Sequence, residues 1–356
     1  MKLLSLSLMS SLILFSGTAQ AQSFSKHTNP VPEIEAAVNN GDYGTVTSIM
    51  ILQDGQVLYE GYFNGSDSDT LHNTRSVTKT ITGMAVGAAV SDGVLKLSDP
   101  AARFFPELAP FAAPDPRKLS ITIEDLLTMS GPLECDDWNQ ISRGNEERMY
   151  IVEDWNRFFW DLPMRGFPAW ATPPEQSPYG RAFSYCSAGV QVLGTIVERA
   201  TEQPMTKYAE ENLFAPLGIS DFEWQFNGKG QPHLGGGLLL QTEGLAKFGE
   251  LQRLSGTFGG VEVYGGDWAE QSVTPKADIP DTPFEYGYLW WLMPYEVDGQ
   301  SYTAAAMTGN GGNRVYVLPD HALTVVFTNT DFNTRNMHQN AQAFFQSEIV
   351  ARLTSQ

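Results

Sequence analysis

Residues 76–91 are the most constraining feature of the sequence, because this run contains a single charged side chain, Lys79. The other positions are apolar, small or hydroxyl-bearing, and Gly93 follows where a helix would end. A helix without a charged face needs cover on all sides, so the run predicts a helix buried at the centre of the molecule. The rest of the chain must therefore supply elements that surround residues 76–91.

Alternating apolar and polar residues predict strands near both ends of the chain. Near the start, the alternating runs 46–52 and 57–63 flank Asp54 and Gly55, a pair that is typical of a tight β-hairpin. The last third predicts four strands and a closing helix, at Tyr288–Met293, Tyr302–Met307, Arg314–Leu318, His321–Asn329 and Arg335–Leu353. The sequence therefore predicts an α+β fold, with an antiparallel sheet built from both ends of the chain and flanked by helices.

The middle third predicts an inserted all-α lobe. Thr122 followed by Asp125 is a variant of the capping box, and further helices are expected at Gly189–Ala200 and Thr206–Phe214. The Trp-rich segment 134–180 indicates either an excursion that covers another part of the molecule or ordinary aromatic core, which we favour for most of its tryptophans. We expect an α/β lobe at about 22–100 and 245–356 and a helical lobe at about 101–244, with the cleft between them as the site.

Residues 1–21 have the pattern of a signal peptide. Lys2 gives a positive start, residues 3–17 are mostly apolar, and Ala19-Gln20-Ala21 fits the small-x-small rule for cleavage. The apolar stretch of about 15 residues is shorter than the ~20 that span a bilayer, and no cysteine follows it to carry a lipid. We therefore expect a mature domain of residues 22–356, periplasmic or secreted, with no membrane anchor.

The two cysteines, Cys135 and Cys186, leave two interpretations open. In an oxidising compartment they could form a disulfide, and the alternative is a pair of buried thiols.

Composition excludes several classes of partner. The chain carries 41 acidic and 22 basic side chains and a net charge of −19, with no basic patch, which argues against a nucleic-acid binder. It contains no H-E-x-x-H, no C-x-x-C and no glycine-rich phosphate loop, and its five histidines are scattered. We expect no metal and no cofactor, so the partner would be a small-molecule substrate. The oligomeric state stays open.

The first motif that could carry out a reaction is Ser76-Val77-Thr78-Lys79, at the start of the predicted buried helix. The spacing i, i+3 places the serine hydroxyl and the lysine amine on one helical face. A serine hydroxyl becomes a nucleophile when a base removes its proton, and a neutral lysine amine can be that base. An N-cap serine beside a solvent-facing lysine is the alternative, but the residues after Lys79 offer nothing to pair its charge.

Two further motifs could complete such a site. Tyr185-Cys186-Ser187 precedes a predicted helix, and its phenol could relay a proton while the Ser187 hydroxyl holds the lysine. Thr308-Gly309-Asn310 begins a glycine-rich turn between two predicted strands, where a backbone N–H could face a ligand. Read alone, the tyrosine could simply cap a helix, and the glycines could simply form a hairpin turn.

In this order along the chain, the three motifs resemble those of the serine β-lactamase-like superfamily. That group includes class C β-lactamases, D-alanyl-D-alanine carboxypeptidases, Ser-x-x-Lys esterases and 6-aminohexanoate-dimer hydrolases. The resemblance covers nearly the whole mature chain and implies the β-lactamase/transpeptidase-like fold. It also implies that Ser76 is the acylated nucleophile, that Lys79 is its base and that Tyr185 shuttles a proton to the leaving group.

The resemblance also implies an oxyanion hole formed by the backbone N–H groups of Ser76 and Asn310, with Gly309 beside them. Gly311 or Gly312 could take the place of Asn310, since the register of the turn is open.

Two departures from class C β-lactamases bear on the substrate. This chain has Ser187 where they have asparagine, and Met307 where they have a lysine that helps to bind a substrate carboxylate. Both departures favour esterases and amidases, closest to the 6-aminohexanoate-dimer hydrolase branch, and a substrate that is not anionic. A D-Ala-D-Ala carboxypeptidase, a β-lactamase and a non-catalytic penicillin-binding or sensor protein are the alternatives.

The segment Arg143–Tyr150 is charged and aromatic and leaves two interpretations open. It could be a loop that faces the substrate, or an internal network of ion pairs, which we favour.

Overall fold

The computed structural model describes residues 32–166 and 178–353. The predicted signal peptide, residues 1–21, lies outside the described residues, as does Trp170 of the Trp-rich segment. Eleven α-helices lie within the described residues: α1 Pro32–Asn40, α2 Val77–Ser91, α3 Ile123–Leu127, α4 Glu146–Tyr150, α5 Trp155–Asp161, α6 Ser187–Thr201, α7 Met205–Ala209, α8 Thr242–Arg253, α9 Gly266–Ser272, α10 Met337–Phe344 and α11 Ala351–Leu353.

The same residues form thirteen β-strands: β1 Val46–Gln53, β2 Gln56–Tyr62, β3 His72–Asn73, β4 Phe222–Trp224, β5 Leu238–Leu240, β6 Thr257–Phe258, β7 Val261–Glu262, β8 Ala277–Asp278, β9 Glu285–Tyr286, β10 Trp291–Val297, β11 Gln300–Thr308, β12 Arg314–Leu318 and β13 Leu323–Asn329. Eight of them form one antiparallel sheet, in the order β2-β1-β13-β12-β11-β10-β9-β8. The first hairpin therefore joins the last strands of the chain, as an α+β fold assembled from both ends requires.

Strand alternation places the two faces of this sheet in separate cores. On β12, Val315 and Val317 belong to a core shared with α2, α6 and α8, whereas Tyr316 and Leu318 belong to a core shared with α1 and α10. Successive side chains of a strand point to opposite faces, so β12 is buried on both. The sheet is therefore sandwiched between two helical layers, and α2 lies in the larger of the two cores.

Helix α2 is buried along most of its length, as the sequence predicts. Thirteen of its fifteen residues, from Val77 to Ala89, are buried. Gly93 follows the end of the helix with a φ of 72°, a conformation that favours glycine. Each Å² of apolar surface removed from water stabilises the fold by about 25 cal/mol. The buried apolar side chains of α2 therefore make this helix a major part of the core rather than a surface element.

Other local predictions are also confirmed. Asp54 and Gly55 form the β1–β2 turn with φ values of 50° and 76°, a left-handed pair typical of a tight hairpin turn. Thr122 and Asp125 form a reciprocal capping box at the start of α3. The helices predicted at 189–200 and 335–353 are also present, the second as α10, a π-helical segment at Phe345–Val350 and α11.

Three predictions need correction. The lobe at 101–244, expected to be all-α, also contains β4 and β5, which pair with β3 in a small second sheet. The strand expected from His321 begins at Leu323, because residues 319–321 form a 3₁₀ turn. The run 288–293 was expected to be a strand, but β10 begins only at Trp291 and continues to Val297. Leu289 has a positive φ of 59°, and its N–H donates to the Leu127 carbonyl, outside any strand ladder. Tertiary packing of Tyr288 and Leu289 near α2 and α3 thus outweighs their strand propensity.

No helix in the described parts of the chain is long and apolar enough to cross a membrane.

Candidate active site

Ser76 lies at the start of α2, where the helix enters the core. Arg75, just before it, adopts the left-handed conformation with φ = 51°, which is uncommon for a residue with a side chain. The N-terminus of the helix contributes positive potential at Ser76. The chain therefore presents the Ser76 hydroxyl at a sharp bend, at the positive end of a buried helix.

Lys79 lies one turn further along α2 and contacts Ser76 directly. Its Nζ donates to Ser76 Oγ at 2.9 Å and to the Gly235 carbonyl oxygen at 2.6 Å. The side chain is 1% exposed and forms no ion pair with a described residue. Hence the amine that the i, i+3 spacing brings near the hydroxyl is held in place by a single backbone carbonyl.

Tyr185 closes the other side of Ser76. The Lys79 Nζ lies 5.1 Å from the centroid of its ring, and the phenol is hydrogen-bonded with Ser76. Burial raises the pKa of Tyr185, although the Lys79 charge and the Ser76 hydrogen bond oppose that rise. The phenol therefore keeps its proton near neutral pH and is available to donate it.

Ser187, the last residue of the Tyr185 motif, bonds to carboxylates. Its hydroxyl donates to Glu146 Oε2 at 2.8 Å, and its N–H donates to Asp137 Oδ2 at 2.7 Å. The expected hydrogen bond between the Ser187 hydroxyl and Lys79 is absent among the described residues, since Lys79 donates to Ser76 and Gly235 instead. Ser187 thus joins the start of α6 to an acidic wall that the sequence analysis did not anticipate.

That acidic wall consists of Asp137 and Glu146, and each has a distinct environment. Burial, and then the negative charge of Glu146, raise the pKa of Asp137 to about 7. For Glu146, burial acts in the same direction, but the Lys79 charge and the hydrogen bonds from Ser187 and Tyr150 outweigh it and lower the pKa. Glu146 is therefore negatively charged at neutral pH, whereas the charge of Asp137 changes near pH 7. Both carboxyl groups interact electrostatically with Lys79.

The glycine-rich turn lies against the segment that leads to Ser76. A Cβ at Gly309 would stand 2.3 Å from the Thr74 carbonyl oxygen, so only glycine fits at this position. The N–H groups of Gly311 and Gly312 are engaged, by Met337 Sδ at 3.1 Å and the Gly309 carbonyl at 3.2 Å. The Asn310 N–H donates to no other described residue, and Asn310 lines the same cavity as Ser76.

Met307 is fully buried in the core that contains α2, so it offers no polar group to a ligand. A basic residue does stand nearby, because Arg314 is 5% exposed and lines the cavity. Its guanidinium donates to the carbonyls of Asn313 at 2.8 Å and Gly309 at 3.4 Å, and forms a hydrogen bond with His338 at 3.0 Å. Arg314 therefore holds the turn, a role that its predicted position at the start of a strand did not suggest.

Ser76, Tyr185 and the turn open into one cavity of about 530 Å³. This volume falls within the range of small-molecule sites. Most of the surface that its wall exposes is apolar, although ten of the seventeen lining residues are polar or charged. The cavity is lined by Ser76, Asp137, Trp138, Glu146, Tyr185, Thr282, Phe284, Trp291, Met293, Thr308, Gly309, Asn310, Arg314, Met337, His338, Gln339 and Gln342.

A disulfide joins the two segments that carry the acidic wall and the tyrosine. Cys135 and Cys186 are bonded, which resolves the two interpretations left open by the sequence. Cys135 stands two residues before Asp137, and Cys186 lies between Tyr185 and Ser187. The bridge therefore ties the loop at 134–146 to the start of α6.

No group of three or more histidine, cysteine, aspartate or glutamate side chains in the described ranges could hold a metal ion.

The Arg143–Tyr150 segment contributes to the cavity wall and, among the described residues, does not form the internal network of ion pairs that we favoured. Arg143 pairs with Glu134 at 3.6 Å on the surface, whereas Glu146 faces the cavity. Asp137, Trp138 and Glu146 were not predicted as site residues, because the loop after Cys135 and the start of α4 follow no motif in their spacing. The charged and aromatic composition of 143–150 was the one signal that pointed to this wall.

The sheet order, the buried helix that begins at a serine and the cavity between helices and sheet define the β-lactamase/transpeptidase-like fold. A solved family VIII carboxylesterase shares this fold, with a TM-score of 0.65 and 15% identity over 88% of this chain and 95% of that chain. The beta-lactamase family model matches residues 44–346, and the chain belongs to that family.

Two curated relatives are hydrolases. Esterase EstB of Burkholderia gladioli is 32% identical over 183 residues, which are 48% of this chain and 45% of EstB, so the match spans less than half of that relative. The 6-aminohexanoate-dimer hydrolase of Paenarthrobacter ureafaciens is 26% identical over 308 residues, 82% of this chain and 74% of the relative. The chain is thus similar to hydrolases that differ in substrate.

Proposed function

We propose that this protein is an exported serine hydrolase that cleaves an ester or amide through an acyl-enzyme on Ser76. The observation that carries the proposal is the contact between Lys79 Nζ and Ser76 Oγ, 2.9 Å apart at the wall of a cavity large enough for a small molecule. Residues three apart lie on the same face of a helix, so helix geometry alone places the Lys79 amine against the Ser76 hydroxyl. Burial of Lys79 limits the access of water that would compete for its hydrogen bonds.

In the acylation step, Lys79 as the free amine takes the proton of Ser76 while Oγ attacks the substrate carbonyl carbon. The carbonyl oxygen becomes an oxyanion, which accepts hydrogen bonds from the N–H groups of Ser76 and Asn310. The bond to the leaving group then breaks, and Tyr185 donates its phenolic proton to that group. The proton held by Lys79 returns to the Tyr185 oxygen, so the site is restored with the acyl group on Ser76.

Deacylation reverses these roles with water as the nucleophile. Water loses a proton to the Lys79–Tyr185 pair and attacks the acyl carbon, and the second tetrahedral intermediate expels Ser76 Oγ. The same pair returns the proton to the serine oxygen, which releases the acid product.

The cavity wall favours an uncharged or cationic substrate. Met307 is buried where the class C resemblance would put a lysine, and the guanidinium of Arg314 is directed to backbone carbonyls and His338. On the opposite wall, Asp137 and Glu146 present carboxyl groups that would repel an anion.

The test is a substrate panel measured on the wild-type protein and on Ser76→Ala. We expect the wild type to hydrolyse a short-chain p-nitrophenyl ester and Ser76→Ala to lose at least about 10³-fold in kcat/KM. Nitrocefin and a D-Ala-D-Ala peptide should be turned over more slowly than the ester. Full ester hydrolysis by Ser76→Ala would refute the mechanism, and faster turnover of nitrocefin or the peptide would favour the β-lactamase or carboxypeptidase alternative.

Export is part of the proposal and rests on the signal-peptide pattern of residues 1–21. Expression in a bacterial host should yield a periplasmic or secreted protein whose first residue is Gln22, as read by N-terminal mass spectrometry. An unprocessed cytoplasmic product would contradict it.

A further inference from the structure

Asn313 lies immediately after the glycine-rich turn and is 2% exposed. Its Nδ2 donates to the Asn310 carbonyl at 2.9 Å and to the Asn73 carbonyl at 3.3 Å. Its Oδ1 accepts the backbone N–H of Asn329 at 3.1 Å. These partners fix the orientation of the amide, because the oxygen must face the N–H and the nitrogen must face the two carbonyls.

The three backbone segments that meet at this amide have different roles. Asn73 ends β3 and stands three residues before Ser76, Asn310 is the turn residue with the unengaged N–H, and Asn329 ends β13. A single buried side chain therefore connects the segment of the nucleophile, the turn and the sheet.

Several other contacts also hold the turn. The Gly311 N–H donates to Met337 Sδ, and Gly309 packs against the Thr74 carbonyl. Arg314 bonds to the turn on its cavity side, and the exposed side chain of Asn333 bonds to that of Asn310 on its outer side. Of the side chains in the described residues that bond to the turn, Asn313 alone also bonds to the segment that leads to Ser76.

We propose that Asn313 is a positioning residue that sets the distance between the Ser76 N–H and the Asn310 N–H, and thereby forms the oxyanion site. This inference rests on the proposed function. Two backbone donors stabilise an oxyanion only when both lie within hydrogen-bond distance of the place where that oxygen forms. A displacement of about 1 Å at such a site can cost about 100-fold in rate. Asn313 touches no substrate itself and acts through the backbone of the turn.

The test compares Asn313→Ala and Asn313→Asp with two control variants. Asn313→Ala removes the link between the turn and the Ser76 segment without adding charge, whereas Asn313→Asp keeps the acceptor for Asn329 and places a carboxylate against the two carbonyls. Asn333→Ala removes the side-chain half of the outer tether and keeps the hydrogen bond from the Asn333 N–H to Asn310 Oδ1. Gln252→Ala removes another buried amide, one that bonds to the Ala269 carbonyl and to Tyr264 far from Ser76, and so controls for lost stability.

Each variant is assayed for p-nitrophenyl ester hydrolysis and for inhibition by a phenylboronic acid, which forms a tetrahedral adduct on a reactive serine. For both Asn313 variants we expect kcat to fall about 10- to 100-fold with KM changed less than about threefold, and boronate affinity to fall in parallel with kcat/KM. Asn333→Ala and Gln252→Ala should stay within about threefold of the wild type in both measurements, at a temperature well below their unfolding midpoints.

Two outcomes would overturn the proposal. One is an Asn313→Asp or Asn313→Ala protein, folded by thermal unfolding, that keeps wild-type kcat and boronate affinity. The other is a loss of kcat without a loss of boronate affinity, since a misplaced oxyanion site must weaken both. Should Asn313→Ala fail to fold, Asn313→Asp and the milder Asn313→Ser decide the matter. Wild-type rates in Ser76→Ala would refute the proposed function and this inference together, whereas failure of the Asn313 prediction alone leaves the Ser76 mechanism intact.

Discussion

The two walls of the cavity are built in different ways. On one wall, Ser76 and Lys79 lie three residues apart on a single buried helix, so local backbone geometry alone brings their reactive atoms together. On the other wall, Asp137 lies in a loop and Glu146 begins α4, and a disulfide and hydrogen bonds from Ser187 attach this segment to α6. The reacting pair is thus specified locally, whereas its electrostatic environment is specified by distant contacts. Perturbing the first wall should remove the chemistry, and perturbing the second should adjust it.

The largest effect is expected at the first wall, formed by Ser76 and Lys79, in the variant Lys79→Met. Methionine fills a similar volume without an amine, so the base would be lost while the packing of α2 is largely kept. We expect kcat/KM for a p-nitrophenyl ester to fall about 10³-fold, in line with removal of a general base. The measurement is steady-state kinetics beside a thermal unfolding curve. A folded Lys79→Met enzyme within tenfold of the wild type would show that another group activates Ser76.

An intermediate effect is expected when the disulfide of the second wall is removed, in Cys135→Ser/Cys186→Ser. The bridge spans 51 residues, and chain entropy gives such a bridge about 4 kcal/mol of stability. We expect a clear drop in the free energy of unfolding and a loss of about tenfold in kcat/KM, because Asp137 and Tyr185 are no longer tied together.

Reaction of Ser76 with a fluorophosphonate should survive in this double variant, since α2 does not contain either cysteine. Complete loss of labelling in a folded protein would contradict the division between the two walls.

The smallest effect is expected in Asp137→Asn and concerns pH. Above about pH 7 the Asp137 carboxyl is charged, and a negative charge at the same cavity opposes the oxyanion that develops there. We expect the ratio of kcat/KM in Asp137→Asn to that in the wild type to stay near one at pH 5 and to rise about two- to threefold above pH 7. A ratio that is independent of pH, or that falls as the pH rises, would show that the Asp137 charge does not act on the reaction.

The same variant has a second readout in stability. The pKa of Asp137 is raised to about 7 from its ordinary value of 3.8, so the folded state retains the proton that the unfolded chain loses. The contribution of Asp137 to stability therefore falls as the pH rises between these two values. The Tm of Asp137→Asn minus that of the wild type should become more positive between pH 5 and pH 8.

Sequence reasoning predicts the local wall well. The run with Lys79 as its single charge, which becomes α2, is a short-range pattern, as are the Asp54-Gly55 hairpin and the Thr122 capping box, and each appears in the structure. Their physical causes lie within a few residues of each other, so no knowledge of distant contacts is needed.

The second wall could not be predicted in the same way. The position of Asp137 depends on Ser187 and on a disulfide whose formation the sequence left open. The Ser187 hydroxyl was expected to bind Lys79, but it donates to the Glu146 carboxylate, which lies in reach only after folding, while Lys79 donates to Ser76 and Gly235. The role of Asn313 could not be predicted from the sequence either, because its three partners come together only once β3, the turn and β13 are assembled.

The central claim, that Ser76 forms an acyl-enzyme, is tested most directly by intact-protein mass spectrometry after rapid acid quench of a reaction with a p-nitrophenyl ester. The proposed mechanism predicts a covalent adduct with the mass of the acyl group, placed on Ser76 by peptide mapping and absent from Ser76→Ala. A stoichiometric burst of p-nitrophenol should accompany it when deacylation is the slower step. An adduct on another residue, or the same adduct in Ser76→Ala, would contradict the claim.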